Sequence, residues 1–420
     1  MYQKTTLDNG LRLITANMPH TRSVCVSIFI GTGSRYESDH EAGISHFTEH
    51  LLFKGTEKRP TPREISEAIE GVGGTLNGGT DKELTVYWAK VPQRHLSLAL
   101  DVISDLLLHS KLDPEAIEKE RRVVIEEINM SLDTPSQLVN ILIDELIWPH
   151  HPLGRDIAGS RDSVATITRD AMLNYLHHQY QPNNTVVTIA GNIEPEEVTS
   201  AINQTLGNWT GHESSLSYLA YEPRRAERLR VEKRKTEQAN LCLALPGISL
   251  FHPQRFTLDL ANVILGEGMS SRLFTEVRER LGLTYSIHSY VEHFLDSGSL
   301  TIYAGVEPKN LKTAIKAILE QLHQLTEIVP EAELARAKEF CKGRLLLRME
   351  DSRNVASWLG GQEILTKHIF TADEIMGIID TVTAEEIQKI AQELIVESEL
   401  RCSVVGPISS QKPLREFLSL

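Results

Sequence analysis

Cysteine is scarce here, with 4 in 420 residues. Cys25, Cys242, Cys341 and Cys402 are widely spaced and make no C-x-x-C, so neither a disulfide framework nor a thiolate zinc site is indicated. Cys25 and Cys402 each lie in an alternating apolar run and read as buried free thiols. Positive charge is also in deficit. Against 57 Asp and Glu there are only 43 Lys and Arg, a net charge of −14, which argues against nucleic acid as a partner and favours neutral or basic ligands. No apolar run is long enough to cross a bilayer, and no membrane partner is expected. Residues 1–6 move straight into a strand pattern without the apolar centre of a secretory signal, so a reducing, cytoplasmic location is the expectation. Gly31-Thr32-Gly33-Ser34 lacks the third glycine and the Lys-Ser/Thr of a phosphate loop, and reads as a turn.

The rest of the composition, 41% hydrophobic and 24% charged, is that of a folded chain, and 420 residues exceed one ordinary core. Asn9-Gly10 predicts a hairpin-type turn because it accepts positive φ at low cost, with strands following over 11–16 and 23–30. Helices are predicted over about 43–53, 62–71 and 93–108, and a strand over 84–91. After Pro114 a further helix carries Glu120, Val123, Val124, Glu126, Glu127 and Ile128, and residues 136–150 are helical again. The β-branched run 185–190 closes this half. From 211 to 225 the periodicity lapses into Ser, Tyr, Pro and paired arginines, marking a linker between a domain over 1–210 and another over 226–420.

The second half repeats the first. Leu84-Thr85-Val86-Tyr87 recurs as Leu300-Thr301-Ile302-Tyr303, and Pro92 recurs at the same offset as Pro308. Each proline precedes an amphipathic helix whose apolar positions match: Ala99 with Ile315, Val102 with Ile318, Ile103 with Leu319, Leu106 with Leu322. The fold class is therefore α+β: two homologous sandwich domains, each one mostly antiparallel sheet with helices on one side, related by internal duplication.

Chemistry concentrates in His46-Phe47-Thr48-Glu49-His50. Histidines four apart on a helix share a face, so both imidazoles can reach one ion, and Glu49 is close enough to act on a water there. This is the H-x-x-E-H order of a zinc peptidase. With 16 His among 420 residues, chance alone produces the pattern in about one such chain in twenty to thirty. A catalytic zinc needs a third protein ligand. Glu120, Glu126 and Glu127 are the candidates; Glu120 and Glu127 share a helix face, which suggests one carboxylate on the metal and the other orienting a ligand. The bland alternative is a solvated acidic helix. The same offset that relates the two halves carries His46 to Asn262, His50 to Gly266 and Glu127 to Gly343, so the second copy has no ligand set. His150-His151 and His177-His178 read as loop or surface residues, Arg278 as a surface charge and Tyr285 as a partly buried core residue.

The motif and its extension, His46 to Thr56 (HFTEHLLFKGT), resemble the pitrilysin/insulysin and mitochondrial processing peptidase family over nearly the whole chain. That resemblance implies zinc held by His46, His50 and Glu127, the last separated from His50 by 76 residues. It implies Glu49 as the catalytic base and Glu120 as the residue standing behind a ligand. Leu76-Asn77-Gly78-Gly79-Thr80 resembles the family segment that pairs with substrate, although Ala is usual where Gly78 stands. Asn77, Gly78, Gly79, Thr80 and Phe53 are thereby implied to bind peptide. Pro152-Leu153-Gly154-Arg155 also fits. In the second half, Ser271 to Phe274 and Arg278-Glu279-Arg280-Leu281-Gly282-Leu283-Thr284-Tyr285 match the family's other signature, which implies that Arg278 and Tyr285 reach the peptide and its developing oxyanion.

The expected activity is metal-assisted hydrolysis of short or unfolded peptides, by a chain that pairs with a second copy as a homodimer around an enclosed chamber. Processing peptidases present acids to a substrate arginine where this chain has Gln137 and Ile141, and Gly360-Gly361 is a poor match to the mobile glycine-rich loop of their non-catalytic subunit. Degradation is therefore favoured over presequence removal. A non-catalytic scaffold or partner subunit of the same fold is the rival.

Overall fold

The computed structural model describes residues 2–211, 217–224, 227–408 and Leu414. Of the expected linker, residues 212–216 and 225 lie outside the described residues, and 217–224 carry neither helix nor strand. Early helices fall where the periodicity puts them, to within a turn: α1 (Ile44–Leu52), α2 (Pro62–Glu70), α3 (Leu96–His109), α4 (Pro114–Asp133) and α5 (Pro135–Ile147).

The strands of the first half are β1 (Tyr2–Thr6), β2 (Arg12–Asn17), β3 (Ser23–Ile30), β4 (Thr75–Thr80), β5 (Thr85–Pro92) and β6 (Thr185–Gly191). They form one sheet in the order β1-β2-β6-β3-β5-β4. Only β2 and β6 run parallel. Side chains alternate across a strand. Val24, Val26, Ile28 and Ile30 of β3 join Ala99, Val102, Ile103 and Leu106 of α3 in one core, whereas Cys25 and Phe29 belong to a core on the opposite face. That second core is closed by Ala356, Leu359 and Ile364 of the helix Ser352–Thr366. Glu363 of this helix is buried and accepts from Lys4 (2.7 Å) and Arg12 (3.0 Å) of the sheet.

The second half gives β7 (Leu229–Lys233), β8 (Ala239–Pro246), β9 (Thr284–His293), β10 (Gly298–Val306) and β11 (Arg401–Gly406), in the order β7-β11-β8-β10-β9. Again one pair, β7 with β11, is parallel. The expected repeat is therefore visible as topology, and Leu311–Leu325 buries the matching Ile315, Ile318, Leu319 and Leu322. One face of this sheet packs Cys242, Ala244 and Val405 against Leu138, Val139, Leu142, Ile143 and Leu146 of α5.

Contacts divide the chain into Met1–Ile128, Asp156–Leu219 and Leu346–Thr371 as one unit, and Asn129–Arg155, Ala220–Leu345 and Ala372–Leu420 as the other. These differ from the contiguous halves 1–210 and 226–420. Each unit is the expected mixed sandwich, with helices of its own half on one side of the sheet. The other side is covered by a helix from the other half, Ser352–Thr366 in the first unit and α5 in the second. A sheet with two apolar faces needs two covering layers. The exchange supplies the second.

Gly360 and Gly361, poor candidates for a mobile loop, lie inside the covering helix. A Cβ on Gly360 would sit 2.2 Å from the Phe29 ring, whereas one on Gly361 meets no heavy atom within 4 Å. Gly360→Ala is expected to lower the denaturation midpoint, at a cost of about 1–3 kcal/mol for overpacking. Gly361→Ala should hold or raise it, by about 0.5–1 kcal/mol of helix propensity. Equal midpoints for the two variants would contradict this account of the packing.

Candidate metal centre

α1 starts on Gly43, whose φ of 94° turns the chain into the helix. No side chain at that residue caps the end. Instead the Glu37 carboxylate accepts from the backbone N–H groups of Gly43 and Ser45, both at 2.8 Å. An anion there also complements the helix dipole. Ile44, Phe47, Leu51 and Leu52 are buried and fix the rotation of the helix, which sets His46 and His50 together on another face.

The two Nε2 atoms lie 3.1 Å apart. Glu127, from α4, brings its Oε2 to 3.9 Å from His46 Nε2 and 3.7 Å from His50 Nε2. Among the described residues, these three are the set of His, Cys, Asp and Glu side chains whose ligand atoms converge on one point. Glu126 does not join them. A tetrahedral zinc with bonds of about 2.0–2.1 Å keeps its ligand atoms about 3.3 Å apart, so the triangle needs only small side-chain adjustments to hold one.

Hydrogen bonding points the same way. His50 Nδ1 donates to Glu120 Oε1 at 2.9 Å, because an ionised carboxylate has no proton to give. This leaves the lone pair of His50 on Nε2, facing His46. His46 Nδ1 is buried without a hydrogen-bond partner, so nothing on that side competes for the ring. The donor set suits zinc.

Electrostatics sort the four groups. Burial, then His50, depresses His46 to about 4, keeping its imidazole neutral. Burial works against charge on His50 too, but Glu120, Glu127 and Glu49 outweigh it and its pKa is raised. Burial likewise opposes the charge on Glu120, and hydrogen bonds from His50 and Lys54 overcome it, so that carboxyl sits below its usual range. Glu49, 8% exposed, is raised by burial.

Glu49 leans on β4. Thr80 Oγ1 donates to its Oε2 at 3.0 Å. A Cβ on Gly78 would fall 2.8 Å from Glu49 Oε1 and 3.0 Å from the Phe53 ring, so glycine lets the strand lie directly against the carboxylate. β4 is the last strand of its sheet and pairs only with β5. Asn77 on it is exposed, and Gly79 is half-buried.

In the second unit, residues Phe274–Arg280 form a π-helical turn. The Arg278 guanidinium lies over the rings of Phe274 (4.5 Å) and Tyr285 (4.9 Å). Tyr285 is 79% exposed, which corrects the reading of it as a partly buried core residue. His151 lies in a loop, as expected, but is buried there: it accepts from Leu153 N–H at 3.2 Å and packs edge-on against Tyr221. His177 and His178 are at the surface, as expected.

Comparison with known proteins places the chain. A family model described as insulinase (peptidase family M16) matches residues 12–161, and one described as peptidase M16 inactive domain matches residues 166–340. An uncharacterized zinc protease of Bacillus subtilis is 37% identical over 94% of this chain and 96% of its own length. This chain belongs to the insulinase family, peptidase family M16. A second M16 relative, an uncharacterized zinc protease of Streptomyces coelicolor, is 34% identical over 98% of this chain and 91% of its own. The fold is shared with a protease from Helicobacter pylori, at a TM-score of 0.92 and 21% identity over 97% of this chain and 99% of that one.

Sequence reasoning missed two partners. Glu37 left no signal, since its bond to the helix start spans a loop. Lys54 did leave one: it stands four residues after His50, and its Nζ lies 2.9 Å from Glu120 Oε2.

Glu127→Gln should reduce zinc affinity by about a hundredfold or more as a ligand oxygen is replaced by an amide, whereas Glu126→Gln should leave it unchanged. Competition with a chromogenic chelator measures both. Because zinc competes with the proton on His50, whose pKa is raised, wild-type affinity should climb with pH and level off above that pKa. The His46 step, at about 4, lies too low to shape the curve.

Proposed function

We propose that this chain is a zinc-dependent endopeptidase acting on short or unfolded peptides. The observation that carries the reading is the convergence of His46, His50 and Glu127 on one point with the Glu49 carboxylate beside it. The names of its M16 relatives support it.

In this reading His46, His50 and Glu127 hold the metal and Glu120 orients His50. Bound zinc supplies a Lewis acid that makes water acidic near neutrality and polarises a carbonyl. Glu49 takes the proton from the attacking water as its oxygen bonds to the scissile carbon, and returns it to the amine as the C–N bond breaks. Burial raises the pKa of Glu49 and so makes its carboxylate a stronger base. Thr80 holds it against rotation.

The peptide is taken up as an added strand on the free edge of β4, along Asn77, Gly78, Gly79 and Thr80, with Phe53 beside it. Backbone pairing accepts many sequences. Arg278 and Tyr285 serve as donors to the peptide and the oxyanion, a role the family resemblance supports and the exposure of Tyr285 permits. Neutral Gln137 and Ile141 favour general degradation over removal of basic presequences. The four unpaired cysteines fit a reducing cytoplasm.

Mass spectrometry of products from a mixed peptide library, with and without chelator, tests the activity. Wild type should cleave and the chelated protein should not. Glu49→Gln should retain zinc while losing about 10²–10⁴-fold in rate. A non-catalytic scaffold would show no cleavage with zinc bound. One chain carries the metal set and the Arg278 and Tyr285 pair, so a homodimer is the proposed form; sedimentation under active conditions should give twice the chain mass of 47.1 kDa, and a monomer would overturn it.

A further inference from the structure

The Glu120 carboxylate is split between two partners. Its Oε1 accepts from His50 Nδ1 at 2.9 Å, and its Oε2 lies 2.9 Å from Lys54 Nζ. Glu120 itself is 6% exposed, whereas Lys54 is about one-third exposed and reaches in from the loop that follows α1. A buried carboxylate with one oxygen unpartnered can rotate about its last torsion, and it suffers from the missing hydrogen bond. With both oxygens engaged it has one orientation. That orientation is the one that accepts from Nδ1 and aims Nε2 of the same ring at His46 and Glu127.

We propose that Lys54 is a positioning residue for the metal: it fixes Glu120, and through Glu120 it fixes the ring of His50. The inference rests on the metal-binding reading above and adds to it a residue that touches no ligand atom. His50 and Lys54 are four apart, so the end of α1 delivers both the ring and the cation that steadies its partner. The site is thus a chain of three side chains, two from one helix end and one from α4.

Zinc affinity of the full-length protein, measured by chelator competition, tests this without any substrate. Lys54→Met should weaken binding measurably, by no more than the about 10- to 100-fold that follows removal of a partner directly behind a ligand, since it acts through Glu120. Lys54→Arg, which keeps a cation within reach of Oε2, should restore most of it. In a Glu120→Gln background, Lys54→Met should add no further loss, because the link through which it acts is already broken. Undiminished affinity in Lys54→Met would overturn the inference and leave the metal reading standing, as would an equal loss in the Glu120→Gln background. A wild-type chain that takes up no zinc would overturn both.

Discussion

The Nε2 atoms of His46 and His50 lie 3.1 Å apart, close enough to share one proton or to flank one metal ion. Much of the first unit works to hold them there. The Glu37 carboxylate anchors the start of α1, the buried face of Phe47 and Leu51 fixes its rotation, and Glu120 decides which nitrogen of His50 carries the proton. The pair is thus held in place before any metal arrives. The acidic neighbours divide around it: Glu127 converges on the pair, Glu120 accepts from His50, and Glu49 accepts from Thr80 on β4.

The second copy of the fold packs the matching positions differently. Asn262, at the position matching His46, is buried and accepts from Ser289 Oγ at 2.6 Å. A side chain at Gly266, matching His50, would begin 2.4 Å from Ser289 Oγ and 2.6 Å from its backbone nitrogen. Their helix, Arg255–Gly266, lies close against β9, so the space for an imidazole is filled. One copy carries the converging side chains and the other does not. The scaffold residues survived in both because they answer to packing alone.

Much of this was legible in the sequence, for identifiable reasons. Period-two and period-3.6 patterns located β3, β5, α3 and α4, and the fixed offset between Leu84 and Leu300 exposed the repeat. The histidine pair announced itself by spacing. Spacing left Glu120, Glu126 and Glu127 open, and the family resemblance picked Glu127, the carboxylate that lies with the histidines. What stayed hidden was long-range. The apolar face of 136–147 says that this helix is buried, but not that it lies on β8 and β11 rather than on the sheet of its own half. Glu37 and Thr80 act across loops, and His151 packs against Tyr221, far along the chain.

The exchanged helices bind the history of the chain to its mechanics. Severing the polypeptide between its two halves would not liberate two independent domains, because each fragment would hold the other's missing layer: Leu359 and Ile364 would remain seated on Phe29, and Leu142 and Ile143 on Ala244. Two separately synthesised halves would meet the same requirement, each unable to shield its own sheet until the other arrived. With each sheet covered by a helix of the other copy, neither copy can be removed without baring the sheet that remains.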